Sequence, residues 1–265
     1  MPNRALKTAA SGMYAQQVNI QVISNNIANI NTTSFKKNRA EFKDLIYQDV
    51  NVNPQSTNVA GVVENPNAKV QVGHGVQTTS TQKVFAQGSL QETRRPLDIA
   101  ITGEGFFQLT RPDGTFAYTR DGSFKLSAEG SIVSSNGYVL DPGFQVDENV
   151  ADIVVNKEGL VVAKQNTGES VELGSIQLVK FVNPGGLKAL GNNMYAESDA
   201  SGAPIIGTPS LEGFGELQQY YLEASNVDIV DEMINMITAQ RAYEINSKTV
   251  QTVEQMMQMA NNLKR

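Results

Sequence analysis

The sequence has no cysteine, no tryptophan and no long uninterrupted apolar run. Without cysteine, neither disulfide bonds nor thiolate metal sites can form. No stretch reaches the roughly 18–20 apolar residues with which a helix crosses a bilayer. Glutamines and asparagines soon follow Arg4 and Lys7, unlike the apolar core of a secretion signal. We therefore predict no membrane insertion and, if the chain is exported, a route that uses no cleaved signal peptide.

Charge is scarce as well. Only 18% of the residues are charged, and the formal net charge is −6, whereas about a quarter of the residues in a typical domain are charged. Binding to nucleic acid requires clustered Lys and Arg that neutralise phosphates. This composition therefore predicts no nucleic-acid partner.

Residues with catalytic or metal-binding chemistry are few. His74 is the single histidine, and with no cysteine or nearby carboxylate cluster it is a poor metal site. The stretch "TGEGFF" (102–107) lacks the third glycine of a dinucleotide-binding fingerprint. A glycosidase-like carboxylate pair is one alternative, drawn from Asp98, Glu104, Asp113 and Asp121. Because Asp113 and Asp121 occupy turn positions that Asp fills for backbone reasons, we predict no catalytic, cofactor or metal site.

The N-terminal end has the periodicity of a helix. Apolar or small residues recur in steps of three and four, as in a heptad seam: Leu6, Ala9, Met13, Ile20, Ile23, Ile27 and Ile30. This pattern predicts one helix over residues 3–30, about 42 Å long at 1.5 Å per residue.

The C-terminal end predicts a longer helix. Ser225 reads as its N-cap, with Asp228 three positions on and further acidic residues in the first turn. One apolar row follows at helical spacing: Val230, Ile234, Ile237, Ile245, Val253, Met256, Ala260 and Leu263. A second row widens it: Ile229, Met233, Met236, Tyr243, Val250 and Met257. The helix would span about 57 Å.

The middle of the chain, residues 76–223, has short β-type runs separated by turn dipeptides such as Asp113-Gly114 and Asn136-Gly137. Close spacing without helical patterns favours antiparallel hairpins. Residues 48–75 are rich in Asn, Pro, Gly and Val and predict a long loop or an extended arm. The fold class is therefore α+β, with terminal helices packed as a coiled-coil-like pair around a mainly antiparallel β region.

The predicted domain boundaries follow from these changes in sequence pattern along the chain. Residues 1–35 with 222–265 form a terminal helical domain, residues 36–75 an arm or insertion, and residues 76–221 a β-rich domain.

Residues 8–35 contain no charged side chain, although a helix on the surface of a monomer normally carries charge opposite its apolar stripe. Amides take its place, and amides are less costly to bury against a partner than ions. One interpretation is a solvated face that uses amides; the stronger one is a helix that other protein contacts on most sides. Identical subunits that meet through different patches, in a repeating arrangement that does not close, form a helical filament or tube. The candidate assembly residues are Leu6, Met13, Ile20, Ile23, Asn25, Asn26, Ile27, Asn29, Ile30, Val230, Ile234, Ile237, Tyr243, Ile245, Val253 and Met256.

Four long motifs resemble one family. "AASGMYAQQVNIQVISNNIANINTTSFKKNRAEFKDL" (9–45) and "LEASNVDIVDEMINMITAQRAYEINSKTVQTVEQMM" (222–257) are similar to the terminal signatures of bacterial flagellar rod and hook proteins. "LDIAITGEGFFQL" (97–109) and "YTRDGSFKLSAEGSIVSSNGYVL" (118–140) are similar to that family's β-domain core. Length and residues 48–75 most resemble the distal-rod branch. One departure is Ser34, which stands where relatives often have Gly, so that a left-handed turn is less expected there.

The resemblance implies a structural, non-enzymatic subunit of the flagellar basal body. It would be exported by the flagellar type III apparatus and assemble with copies of itself into the hollow, periplasm-spanning rod. Its terminal helices would form the inner tube and its β region an outer layer, with contacts from residues 48–75 stiffening the rod. The implied partners are proximal rod proteins, hook-side axial proteins and the basal-body rings. The alternatives are a proximal rod subunit of the same family and a coiled-coil adaptor that does not polymerise.

Overall fold

The computed structural model describes residues 2–51, 69–146, 150–165 and 169–263. The centre of the predicted arm, 52–68, lies outside the described residues. The predicted α+β class is confirmed, because long helices occupy both ends and short strands the middle. The chain forms two compact units. Residues 1–25, 38–81 and 230–265 make the helical unit, and residues 26–37 and 82–229 make the β unit.

The secondary-structure elements run in chain order. They are α1 (Pro2–Ala28), β1 (Asn38–Asp44), β2 (Gln48–Asn51), β3 (Lys69–Val72), β4 (Val76–Lys83), β5 (Leu90–Glu92), β6 (Ile99–Thr102), β7 (Phe106–Thr110), β8 (Phe116–Thr119), β9 (Lys125–Leu126), β10 (Ile132–Val133), β11 (Val139–Leu140), β12 (Val150–Val155), β13 (Leu160–Gln165), β14 (Ser170–Ser175), β15 (Leu178–Lys180), a 3₁₀ turn (Pro184–Gly186), β16 (Lys188–Gly191), β17 (Met194–Ala196), β18 (Ile205–Gly207), β19 (Glu216–Gln219), β20 (Tyr221–Glu223) and α2 (Ile229–Leu263).

Helix α1 ends two residues earlier than its periodicity predicts. The N–H groups of Asn29 and Ile30 donate to carbonyls three residues back, those of Asn26 and Ile27, at 3.1 and 3.2 Å. Hydrogen bonds of this kind tighten the backbone into 3₁₀-like turns. The apolar repeat therefore continues past the residue at which the α-helix stops.

Helix α2 begins at Ile229, so Ser225 is not its N-cap as predicted. The hydroxyl of Ser225 instead accepts from the N–H of Val227 at 3.3 Å, which makes a local turn before the helix. Asp228 directly precedes the helix, and the first turn contains Asp231 and Glu232. Negative charge at this end complements the helix dipole.

The helical unit also contains two pairs of strands, of which the second is antiparallel. β1 pairs with β4, and β2 pairs with β3 from Gln48↔Val72 to Asn51↔Lys69. Between the two pairs, the N–H of Leu45 donates to the carbonyl of Gly75 at 2.9 Å. The prediction of a loop or arm over residues 48–75 thus missed strands at both of its ends.

The β unit is built around β7. This strand pairs along one edge with β8 and along the other with β11 and β15. The wider sheet runs β16-β17-β8-β7-β11-β10-β9, with β18 beside β15. A three-stranded sheet (β12-β13-β14) and the pairs β19-β6 and β20-β5 complete the described part of the unit. The strand pairs found there are antiparallel, as the hairpin spacing predicts.

Both faces of β7 are buried. Successive side chains of a strand point to opposite faces, and Phe106 and Phe107 accordingly belong to different apolar clusters. The ring of Phe107 packs edge-on against Phe124, with 5.1 Å between centroids. The ring of Phe106 packs in the same way against Phe181 on the other side, at 5.9 Å. A sheet covered on both faces gives this unit a complete core of its own.

Two predicted turns depend on glycine for different reasons. Gly137, in the turn between β10 and β11, has φ +82°, a conformation that costs glycine little. Gly122 has an ordinary backbone, but a Cβ there would lie 1.6 Å from the carbonyl oxygen of Ile99. Glycine at 122 thus permits a close approach of two backbone segments.

Candidate assembly surface

Helix α1 is protected on most of its circumference. Its buried residues are Ala9, Ala15, Ile23 and Asn26, and Gly12, Met13, Gln16 and Ile20 are half-buried. From residue 10 onward, the exposed residues other than Asn25 form one narrow stripe at steps of three and four: Ala10, Tyr14, Gln17, Gln21, Ser24 and Ala28. None of them is charged, and three are small. The absence of charged side chains from residues 8–35 thus leaves the exposed face of α1 neutral.

Helix α2 has one protected stripe with a seven-residue repeat. Its members are Glu232, Ala239, Asn246 and Val253, flanked by the half-buried Met236, Val250 and Met257. A repeat of seven is the spacing with which one helix keeps the same face toward another.

The two helices approach each other closely at Gly12. A Cβ built on Gly12 would lie 2.9 Å from the side-chain amide nitrogen of Asn246. Asn246 lies in the middle of the protected stripe.

Helix α2 also has a second, outward stripe that is apolar. Val230 and Ile245 are 61% and 63% exposed, and Ile234, Ile237, Met256, Met259 and Leu263 are also exposed. The spacing in steps of three, four and their sums places these residues on one side of the helix. Exposed Arg241 and Lys248 lie on the same side and interrupt the stripe. Isolated exposed apolar residues are ordinary, but apolar residues clustered on one side of a helix mark an interaction surface.

The predicted assembly residues fall into three classes of exposure. Ile23, Asn26 and Val253 are buried. Leu6, Met13, Ile20, Ile27, Asn29 and Ile30 are half-buried, whereas Asn25, Val230, Ile234, Ile237, Tyr243, Ile245 and Met256 are exposed. Most of the predicted residues of α2 thus face away from its protected stripe. Their role in contacts between subunits stays a prediction.

Sequence reasoning missed an apolar group on the strand pairs of the helical unit and on the connection between β1 and β2. Phe42, Ile46, Tyr47, Val70 and Val72 are exposed there. A two-stranded ribbon is marginally stable by itself, so apolar side chains on it favour a further covering partner. The alternation of Val70 and Val72 was a visible strand signal, but the surrounding Asn, Pro and Gly obscured it.

Four of the residues considered for chemistry have structural partners. Asp113 Oδ1 accepts from the N–H of Thr115, and Asp121 Oδ1 from that of Ser123, both at 3.1 Å. Glu104 pairs with Lys180. His74 Nδ1 lies 2.9 Å from the carbonyl oxygen of Ile46. Within the described ranges, no group of three or more His, Asp or Glu side chains is placed to hold a metal ion.

The same ranges contain no helix that is both long and apolar enough to span a bilayer.

Comparison with known proteins identifies three matching family models. Residues 6–36 match the flagella basal body rod protein model, residues 100–163 the flagellar hook protein FlgE/F/G D1 domain, and residues 218–263 the flagellar basal body rod FlgEFG protein C-terminal model. Their positions coincide with α1, the centre of the β unit and α2.

Curated relatives match along nearly the whole length. The chain is 49% identical to the flagellar basal-body rod protein FlgG of Borreliella burgdorferi over 99% of both chains. It is 47% identical to FlgG of Caulobacter vibrioides, over 98% of this chain and 99% of the relative. With FlgG of Agrobacterium fabrum it shares 44% identity over 98% of this chain and all of the relative. The chain therefore belongs to the flagellar basal-body rod protein family, whose members are structural rod subunits and not enzymes.

Proposed function

We propose that this chain polymerises into the hollow distal rod of the bacterial flagellum, which transmits torque from motor to hook. The observation that carries the proposal is the outward apolar stripe of α2, opposite a stripe that is already protected. Fully burying one aliphatic side chain of this size is worth about 1.5–3 kcal/mol. Most side chains of the stripe are only about half exposed, so covering each one gains roughly half of that value. Together they still favour the association of copies.

The outer faces of the two helices differ, and this difference supports an open assembly. The outer face of α2 carries large side chains such as Ile234 and Ile237, while that of α1 carries small ones such as Ala10 and Ala28. Large side chains pack well against small ones when helices interdigitate. A contact between unlike patches is heterologous and extends into a helix or closes into a ring. The assembly that we propose is a tube lined by helices, with the β region as its outer layer.

Within this proposal, α1 and α2 of one chain pair like a coiled coil. The close approach of Gly12 to Asn246 and the seven-residue repeat of α2 support that pairing. The strand pairs of the helical unit and the connection between β1 and β2 add contacts to neighbouring copies, through exposed residues such as Ile46 and Tyr47 of that connection. The remaining partners are proximal rod and hook-side axial proteins, the rings around the rod and the type III export apparatus, which carries the chain without a cleaved signal peptide.

Charged substitutions test the assembly surface. We expect Ile237→Asp and Ile27→Asp to abolish assembly, because each places an unpaired charge in a seam that copies would bury. Gln251→Asp is the matched control, since it adds the same charge to α2 beside the apolar stripe. Electron microscopy of concentrated protein and motility of cells that express each variant give the readouts.

Normal rods built from Ile237→Asp would contradict the proposal. The adaptor alternative predicts a different image for the unmodified protein, with discrete dimers or trimers and never tubes. The proximal-rod alternative predicts tubes as well. The distal and proximal readings differ in which mutant strain the chain should rescue. The proposal predicts rescue of a strain that lacks its distal rod subunit, and the alternative predicts rescue of a strain that lacks a proximal one.

A further inference from the structure

Three ionic side chains from distant parts of the sequence are buried together in the β unit. Lys36, Arg120 and Glu223 are only 0%, 5% and 1% exposed. The Nζ of Lys36 lies 2.6 Å from Glu223 Oε1. The Nε of Arg120 donates to Glu223 Oε2 at 3.1 Å. One carboxylate thus holds a different cation on each of its oxygens, and we call this group the junction triad.

Backbone groups meet the remaining hydrogen-bonding capacity of the junction triad. Lys36 Nζ donates to the carbonyl of Ala86 at 2.8 Å, and the N–H of Gly88 donates to Glu223 Oε1 at 2.9 Å. Arg120 Nη1 donates to the carbonyls of Gly103 and Gly105 at 2.8 and 2.9 Å. Buried ions are tolerated only when their partners are complete in this way.

Further hydrogen bonds join three segments around the junction triad: 33–37, 84–88 and 223–226. Ser34 donates its N–H to the carbonyl of Glu223 at 2.8 Å. The side chain of Asn226 accepts from the N–H of Lys37 and donates to the carbonyl of Val84, both at 2.8 Å. The N–H of Val84 donates to the carbonyl of Lys37 at 2.9 Å. Each segment is therefore bonded to the other two.

These segments lie where the backbone passes from the β unit to the helical unit. The chain crosses between the units after residues 25, 37, 81 and 229. The second, third and fourth crossings lie close in sequence to segments 33–37, 84–88 and 223–226, respectively. The chain segments at these three crossings are thus held, on the β-unit side, by the junction triad or by its hydrogen-bonded surroundings.

We propose that the junction triad is a joint that fixes these three chain connections relative to one another, separately from the apolar cores that hold the β unit together. A buried ion group contributes little net stability compared with apolar packing, but it specifies one arrangement. The carboxylate of Glu223 has a separate partner for each oxygen. Sliding one segment past another would leave a buried charge unpaired, which is costly.

Hydrogen–deuterium exchange of the full-length monomer tests the joint. In Glu223→Gln we expect amide exchange in segments 33–37, 84–88 and 223–226 to rise at least about tenfold through local opening. Exchange in β7, at the centre of the apolar cores, should stay unchanged. The matched control is Glu216→Gln, which removes an exposed ion pair with Lys157 in the same unit and should alter neither region.

Lys36→Met is the second variant. It leaves the pair of Arg120 with Glu223 in place, so that a smaller rise confined to the same segments is expected. Unchanged exchange in all three segments would overturn the proposal. An equal rise in β7 and the three segments, or loss of folding in both variants by circular dichroism, would also overturn it, because the triad would then belong to the general stability of the unit.

Discussion

The two units treat their apolar side chains in opposite ways. In the β unit, neighbours such as Phe106 and Phe107 are buried on opposite faces of one strand. In the helical unit, Ile234 and Ile237 of α2 are more than half exposed. The β unit has a core that is complete within a single chain, although it also exposes side chains such as Val182. The helical unit exposes an apolar stripe on α2, which we propose that other copies cover.

The largest expected effect concerns the complete unit. Phe107→Ala removes a fully buried ring, and we expect a loss of about 3–5 kcal/mol in the free energy of unfolding. Phe116→Ala, on the neighbouring strand, removes a ring that is about half exposed and should cost less than about 1 kcal/mol. Denaturant unfolding followed by circular dichroism measures both. Equal losses would break the contrast between inward and outward side chains.

Acid should weaken the junction triad. Burial raises the pKa of Glu223, but Arg120, Lys36 and the N–H of Gly88 together outweigh burial and hold the pKa below its ordinary 4.5. A carboxyl with a depressed pKa in the folded state stabilises the fold above its unfolded pKa. That stabilisation disappears as the pH falls through the folded pKa. We therefore expect segments 33–37, 84–88 and 223–226 to open more readily in unmodified protein as the pH falls below about 4.5, and to change less in Glu223→Gln.

Asp121 responds to acid in the opposite direction, because burial raises its pKa and its protonation favours the folded chain. Both proteins contain Asp121, so its effect cancels in the comparison. Amide exchange in the three segments, compared between the two proteins at each pH from roughly 3 to 6, gives the two curves. Curves that stay parallel would show that the carboxylate contributes nothing that depends on its charge.

A smaller effect is expected at Ser34, which has φ 55° and donates its hydroxyl to the carbonyl of Arg120 at 2.8 Å. Ser34→Ala loses that hydrogen bond and keeps the strained backbone, so we expect a cost of about 1–2 kcal/mol. Ser34→Gly loses the same bond but relieves the strain, so that its cost should be smaller. Thermal unfolding ranks the two variants, and a larger loss for glycine would contradict this account.

Much of the fold was predictable because its signals are local. Steps of three and four predict both helices, and turn dipeptides at close spacing predict the antiparallel middle. The helix ends were predicted less accurately. Asn29 and Ile30 continue the apolar repeat while their hydrogen bonds tighten into 3₁₀-like turns. Ser225 has the sequence context of an N-cap, but its hydroxyl is used in a local turn before α2 begins.

Other features depend on contacts that no local pattern contains. Helix α2 has two apolar rows, and only the folded chain decides which one is covered. Lys36 and Glu223 are 187 positions apart, so nothing near either residue indicates the other. At Ser34 the sequence argued against a left-handed turn, but a hydrogen bond to a distant carbonyl supports the conformation.

The most direct test uses the absence of cysteine from the chain. In Ile237→Cys the only thiol lies on the outward stripe of α2, and its rate of reaction with a maleimide reports access by solvent. We expect the rate to fall at least about tenfold when the monomer assembles, because a copy of the chain covers the stripe and thiol reactivity requires exposure. An equal rate in monomer and assembled rods would contradict the central claim that this surface is made for other copies.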